Sequence, residues 1–411
     1  MVAHPTRFGS HRHRGLYKSN LESSAFNHSE DRDHYLSMFG FKKFSVAVLA
    51  LVSVADAKKV FVDNDGIFPM NILLPLLAGW EIVGVSTSFG SASSVDAAGT
   101  AYDILNTYNL SSCIPHYIGA QQPLIRNNQT FKAWEELFGA LVWEGAYSSF
   151  YEDMYTWENI TYNDSMPAAV ALIEAVKANK DTDPIYIYAA GMMTTVAQAI
   201  SLYPKLVKES AGLYIMGGYF DTQYAAATGS SIVVDINTDI NLIQDPEAAQ
   251  IVLTADWNEL VIGANVTNYV VPSQGLYDRL IEKAGGYEVL ESNPYFKSVL
   301  GLVGTGNFTA NSEQQTLPFW DEVVSAFMVF PDMVKSSTNV SCAVDTQFYS
   351  PFYGNLRIWG HDFAPKGVPT GNATIINKID DGMFYDLLVS TYFKDWRQYC
   401  EVGGPVALEG F

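Results

Sequence analysis

The sequence predicts an α/β fold, an open, mainly parallel (mixed) sheet with helices on both faces. Two observations carry that expectation. Short apolar runs of strand length alternate along the chain with segments of helical spacing, a βαβα order that calls for parallel strands and crossover helices. The composition, 48% hydrophobic and 13% aromatic over 411 residues, supplies a sizeable core and is not that of a disordered chain.

The first run, Val60-Phe-Val-Asp-Asn-Asp65, reads as a buried strand that ends in acids. Residues 72–78 are apolar and read as a helix despite Pro75. Glu81 to Phe89 is a second strand, 95–108 has helical spacing, and Ile114 to Ile118 is a short strand. Residues 130–163 are aromatic-rich and irregular and hold Trp134, Trp143 and Trp157. Met166 to Lys180 is an amphipathic helix, Ile185 to Ala190 a strand, and 194–203 a helix. Leu213 to Met216 is a strand that runs into Gly217-Gly218. Asp245-Pro-Glu-Ala-Ala249 starts a helix, with Asp245 as its cap and Pro246 at the first helical position. Leu260 to Ala264 is a further strand, and no internal repeat interrupts the series.

Residues 1–37 are polar, show no apolar period, and are expected to be disordered or not part of the translated protein. Met38 opens a segment with basic Lys42 and Lys43, an apolar run from Phe44 to Ala55, and a small-residue cleavage site at Ala55-Asp56-Ala57. Residues 38–57 are therefore read as a signal peptide and 58–411 as a single domain. The apolar run is short for a membrane span, and no later one is longer. N-x-[ST] sequons at Asn109, Asn128, Asn159, Asn163, Asn265, Asn307, Asn339 and Asn372 agree with a secreted or cell-wall-associated glycoprotein.

The net charge of −20 argues against a nucleic-acid partner, which would need a basic face. Three cysteines are too few for a disulfide framework. One bridge fits an oxidising compartment, and Cys342 with Cys400, both in the C-terminal third, is the pairing expected. No Cys/His spacing suggests zinc.

Open α/β sheets bind ligands beyond the carboxyl ends of their strands. That rule points to Asp63, Asp65, Ser88–Ser91, Gly191–Thr195 and Gly217–Phe220. Two carboxylates leaving one buried strand repel each other unless something positive lies between them, and a hard cation with oxygen ligands would serve.

Four segments in order resemble the inosine-uridine preferring nucleoside hydrolase (N-ribohydrolase) family. They are Val62-Asp63-Asn64-Asp65-Gly66; Ala190-Gly191-Met-Met-Thr194-Thr195-Val-Ala197; Met216-Gly217-Gly218 followed by Asp239-Ile-Asn241 and Asp245-Pro-Glu-Ala-Ala249; and Phe319-Trp320-Asp321 with its helix, closed by Pro331. The match runs from about residue 59 to about 395. The resemblance implies hydrolysis of the N-glycosidic bond of ribonucleosides to ribose and free base, by a water activated on one calcium ion. It implies metal ligands Asp63, Asp65, the Thr194 carbonyl and Asp321, with Asp65 also taking the water's proton. It implies ribose contacts from Asp63, Asp239, Asn241 and Ser91. It also implies a small-molecule nucleoside partner and a chain that often forms dimers or tetramers.

Other positions depart from the family pattern. Pro69 and Met70 stand where two aspartates are expected, and neither side chain binds a hard cation. Asn71 offers a carbonyl if the loop shifts by one residue. Ser91 replaces a ribose-binding Asn, and Trp320 replaces the His that usually protonates the leaving base. Aromatic stacking is the substitute available, from Trp320 first, then Trp143 and Trp157. His361-Asp362 spells the missing dyad but falls in a late loop, because Asp321, its helix and Pro331 already align the fourth segment. His116 on its short strand reads as structural. Two readings follow: a working ribohydrolase with an altered metal site, or a nucleoside-binding protein on the same fold that has lost turnover.

Overall fold

The computed structural model describes residues 57–66, 69–139, 141, 144–147, 155–220, 239–292, 318–404 and 406–407. The readings of 1–37 and, except for Ala57, of 38–57, and the site candidate Trp143, lie outside these residues. Val54–Phe411 forms one compact unit.

Nine strands make one sheet. They are β1 Lys59–Asn64, β2 Glu81–Thr87, β3 His116–Ile118, β4 Tyr186–Ala190, β5 Gly212–Ile215, β6 Leu260–Ile262, β7 Val334–Val344, β8 Leu356–Trp359 and β9 Gly371–Ile379. The sheet order is β3-β2-β1-β4-β5-β6-β9-β7-β8. Neighbours pair in parallel from β3 through to β9, and β7 runs antiparallel to both β9 and β8. The sheet is mixed and mostly parallel, as the βαβα order requires.

Side chains of a strand alternate between faces, so each central strand feeds two cores. Val60 and Val62 join one apolar cluster with the helices Pro69–Leu77, Trp320–Val329 and Asp381–Tyr392. Phe61 joins the other, with the helices Ala168–Asn179, Thr194–Leu202 and Pro246–Leu253. Pro75 sits inside its helix without ending it. Asp245 caps its helix by accepting from the Ala248 N–H at 3.1 Å, with Pro246 in the first turn.

Strands β7 and β8 escaped the sequence reading, whereas β9 overlaps the stretch Thr374 to Asp386 that resembles the family's final strand and helix. Strand β7 opens with the exposed polar stretch Lys335-Ser-Ser-Thr-Asn339 before its buried half, so it shows no continuous apolar run. Strand β8 is only four residues long. The chain runs from β1 outward to β3, then returns to place β4 on β1's other side. The crevice between β1 and β4 is therefore the point at which the winding reverses, where ligands of this fold class lie.

The disulfide corrects the expected pairing: Cys113 is joined to Cys400 across 287 residues. Nearness in sequence misled the expectation. The C-terminal segment packs back on the loop after the helix Ser94–Thr107, where the Asn109 amide donates to the Arg397 carbonyl at 2.8 Å. Cys342 is instead a buried free thiol on β7, in the second core. Peptide mapping without reductant should recover the Cys113–Cys400 link and alkylate Cys342 only after unfolding. Cys400→Ser should lower stability by about 2–5 kcal/mol, the usual cost of losing a native bridge. A Cys342–Cys400 peptide would contradict this connectivity.

Candidate active site

Asp63 and Asn64 are the last residues of β1, and Asp65 follows directly. Strand β1 is central, so its end is roofed on both sides and all three residues are essentially buried. The chain passes extremely close here. A Cβ on Gly90 would lie 1.9 Å from Asp65 Oδ2, and one on Gly191 would lie 2.7 Å from the Asp65 nitrogen. Glycine at both positions is a condition for Asp65 to sit where it does.

Each acid is held by neutral donors. The Ser86 hydroxyl on β2 donates to Asp63 Oδ1. The Ser91 N–H donates to Asp65 Oδ2 at 2.7 Å. The Gly218 and Tyr219 N–H groups donate to Asp239 Oδ2. Gly218 allows this with a left-handed φ of 81°. Asp321, in the first turn of its helix, accepts from Asn64 Nδ2 at 3.0 Å.

Burial dominates the electrostatics of the cluster. It pushes Asp63 up to about 7, against the Ser86 hydrogen bond, and the charge of Asp65 adds to the rise. It pushes Asp65 to about 7, opposed by Ser91 and reinforced by Asp239. Asp239 rises to about 6, and Asp321 rises well above the carboxylate range through burial and then the charges of Glu322 and Asp65. Asp65 is thus in electrostatic contact with all three other acids. Among the described residues no Lys or Arg forms an ion pair with any of the four.

The remaining sequence candidates divide. Asn241 is buried beside Asp239, its amide donating to the Met216 carbonyl at 2.9 Å while its Oδ1 has no donor. Asp63 Oδ2 is likewise buried with no donor in full hydrogen-bond geometry, although the Thr195 hydroxyl lies close enough to the carboxyl to pull its pKa down. Thr194 opens the helix after β4, with its hydroxyl turned to Asp245 Oδ2 at 2.5 Å. Trp320 is half-buried and donates its indole N–H to Asn268 Oδ1 at 2.8 Å. Trp157 is 37% exposed and rests edge-on against Tyr162. His361 is exposed, meets the Ser341 hydroxyl, and lines a surface hollow with Trp257, Asn339 and Asn372, outside the acid cluster. His116 is buried against the Thr87 hydroxyl, and burial holds it down at about 4.

The donor set does not fit the calcium cage that the resemblance implies. Calcium takes six to eight oxygens. Among the described residues no three His, Cys, Asp or Glu side chains converge as a metal site. Pro69 and Met70 are buried in the first turn of the helix Pro69–Leu77, and Met70 belongs to the apolar core.

Sequence reasoning passed over three residues of the site: Asn64, which binds Asp321; Tyr188, whose hydroxyl donates to the Asp321 carbonyl at 2.8 Å; and Ser86. It saw Asp245 as a helix cap. The structure makes it a junction as well, accepting from Thr194 and from the Leu124 N–H at 2.7 Å.

Comparison with known proteins agrees with this architecture. The model of the inosine-uridine preferring nucleoside hydrolase family matches residues 60–386. An uncharacterized protein of Schizosaccharomyces pombe is 41% identical over 359 residues, 87% of this chain and 91% of its own length. A probable uridine nucleosidase of Arabidopsis thaliana is 24% identical over 239 residues, 57% of this chain and 67% of its own. The solved structure of an inosine-guanosine nucleoside hydrolase superposes with a TM-score of 0.59 at 18% identity, covering 82% of this chain and 98% of that one.

A buried carboxyl whose folded pKa is raised weakens the fold as pH climbs from its unfolded value toward the folded one. For Asp63 that window runs from 3.8 to about 7. Asp63→Asn should therefore be more stable than the parent at pH 8, by on the order of 2–4 kcal/mol, with the gap closing toward pH 4. A gap that ignores pH, or an Asn variant that is less stable throughout, would contradict the assignment.

Proposed function

The chain belongs to the inosine-uridine preferring nucleoside hydrolase family, and from that premise we propose that it cleaves the N-glycosidic bond of ribonucleosides to ribose and free base at the acid cluster around Asp65. The observation that carries this reading is the buried acceptor without a donor beside the acids, Asn241 Oδ1. Leaving such an atom unpaired costs about 1–3 kcal/mol, and the hydroxyls of a ribose are suitable donors.

The chemistry follows from charge. Departure of the base leaves positive charge on C1′ and the ring oxygen, as in glycoside hydrolysis generally. Carboxylates gathered around that position favour the cationic transition state over the neutral substrate. Asp65 takes the proton from the attacking water. With its carboxyl raised to about 7, it is matched to that task near neutral pH. Trp320 would stack on the departing base rather than protonate it, because an indole offers no titratable proton. Its N–H is already committed to Asn268, so the departing base takes its proton from solvent while Asp65 later returns its own. The calcium-activated water of the family pattern is not part of this mechanism, since the donor set does not fit it.

The second reading, binding without turnover, is favoured by the loss of a base-protonating His at position 320. Incubation with inosine and with uridine separates the two. Free base should appear with the parent and not with Asp65→Asn. Turnover should fall about tenfold per pH unit below 7 as Asp65 takes up its proton. Nucleoside binding without release of base would establish the second reading.

We also propose that the chain acts outside the cell, on the strength of the apolar segment after Met38 and the sequons. Asn128, Asn339 and Asn372 are exposed. Asn265 has both amide atoms bonded to the Phe220 backbone, with its nitrogen donating to the carbonyl at 2.5 Å and its oxygen accepting from the N–H at 2.9 Å. Peptide mapping of secreted protein should find glycan at exposed sequons and none at Asn265. Glycan at Asn265, or unmodified Asn128, Asn339 and Asn372 alike, would count against this picture.

A further inference from the structure

We propose that this site holds its acids, and grips ribose, without a divalent cation, because the amide of Asn64 occupies the position from which a cation would neutralise Asp321. The ribose half of the proposal rests on the function proposed above; the cation half does not.

Asn64 lies between the two aspartates at the end of β1 and is fully buried. The Gly66 N–H donates to its Oδ1 at 3.1 Å. An N–H must face the carbonyl oxygen of an amide and not its NH2 group, so this bond fixes which way the side chain is turned. The NH2 group is left facing Asp321 Oδ2 at 3.0 Å, with Asn71 Oδ1 beside it at 3.5 Å. Asn71 in turn donates to the Tyr188 hydroxyl at 3.4 Å, and Tyr188 donates to the Asp321 carbonyl at 2.8 Å. Asp321 thus takes a neutral donor from β1 on its carboxylate and one from β4 on its main-chain carbonyl.

Three consequences follow. A cation approaching Asp321 from β1 would meet the positive end of an amide dipole rather than a lone pair. The oxygens it would need from the following helix are replaced by a proline ring and by Met70, which is anchored in the apolar core, so a small loop shift does not restore them. Asn71, which could offer a side-chain carbonyl from that helix, already points it at Asn64. Elsewhere in the cluster, Asp63, Asp65 and Asp239 take their donors from Ser86, Ser91, Gly218 and Tyr219.

The test uses the full chain and calcium chloride as the probe. Titration calorimetry should show no saturable calcium binding up to about 1 mM, the weak end of the range for extracellular calcium modules. Calcium should leave the melting temperature unchanged. Asn64→Asp keeps the shape but replaces the donor with a third charge beside Asp65 and Asp321. That variant should melt lower than the parent and recover on addition of calcium. Inosine binding by the parent should be the same in calcium and in chelator. A saturable calcium site in the parent that Asp321→Asn removes would overturn the proposal, whatever Asn64→Asp does. Inosine binding that chelator abolishes would overturn it too. Failure to bind inosine under either condition would defeat the proposed function, and the calcium titration would still decide this inference.

Discussion

Four buried carboxylates lie near the carboxyl ends of the central strands with no cationic side chain of the described residues paired to them. The rest of the site is arranged around that constraint. Burying an unpaired charge is among the costliest things a fold can do, and the usual escape is a raised pKa or a counterion. Here all four acids have raised pKa values, and neutral dipoles offset part of the cost. Backbone N–H groups of Ser91, Gly218 and Tyr219, the hydroxyl of Ser86 and the amide of Asn64 each point at one acid. Asp321 gains further from lying in the first turn of the helix Trp320–Val329, where the helix dipole favours negative charge.

Scaffold and site are coupled through close approach. Gly90 and Gly191 let two loops close on Asp65 from β2 and β4, and either with a side chain would drive them apart. Asp245 ties the start of the helix after β4 to the loop at Leu124 while it caps its own helix. The segment carrying Asp239 and Asn241 is thereby held near the end of β1. Such preorganisation is what a site needs if its acids are to stabilise a cationic transition state without rearranging.

Much of this was readable from the residues. Continuous apolar runs such as Val60 to Val62 and Ile185 to Ala190 mark buried parallel strands, and Asp245-Pro246 marks a helix start by elementary capping chemistry. The acids at the end of β1 were legible because a buried strand that ends in Asp-Asn-Asp has no structural reason to do so. What stayed hidden depended on contacts between distant segments. Asn64 and Asp321 are 257 residues apart, and nothing local in either announces the bond. Cys113 and Cys400 meet only because the C-terminus folds back. Strand β7 was masked by its polar half, whose side chains face solvent at the sheet's antiparallel end. The tryptophans show the same limit: spacing places Trp320 at a helix start, while its bond to Asn268 belongs to the tertiary structure.

The most direct measurement is a crystal structure of the protein soaked with ribose. The account predicts the sugar at the mouth of the β1–β4 crevice, with hydroxyls on Asn241 Oδ1 and on the carboxylates around Asp65, and the Asn64–Asp321 bond intact. Ribose bound elsewhere, or a crevice that stays filled with water at saturating sugar, would contradict it.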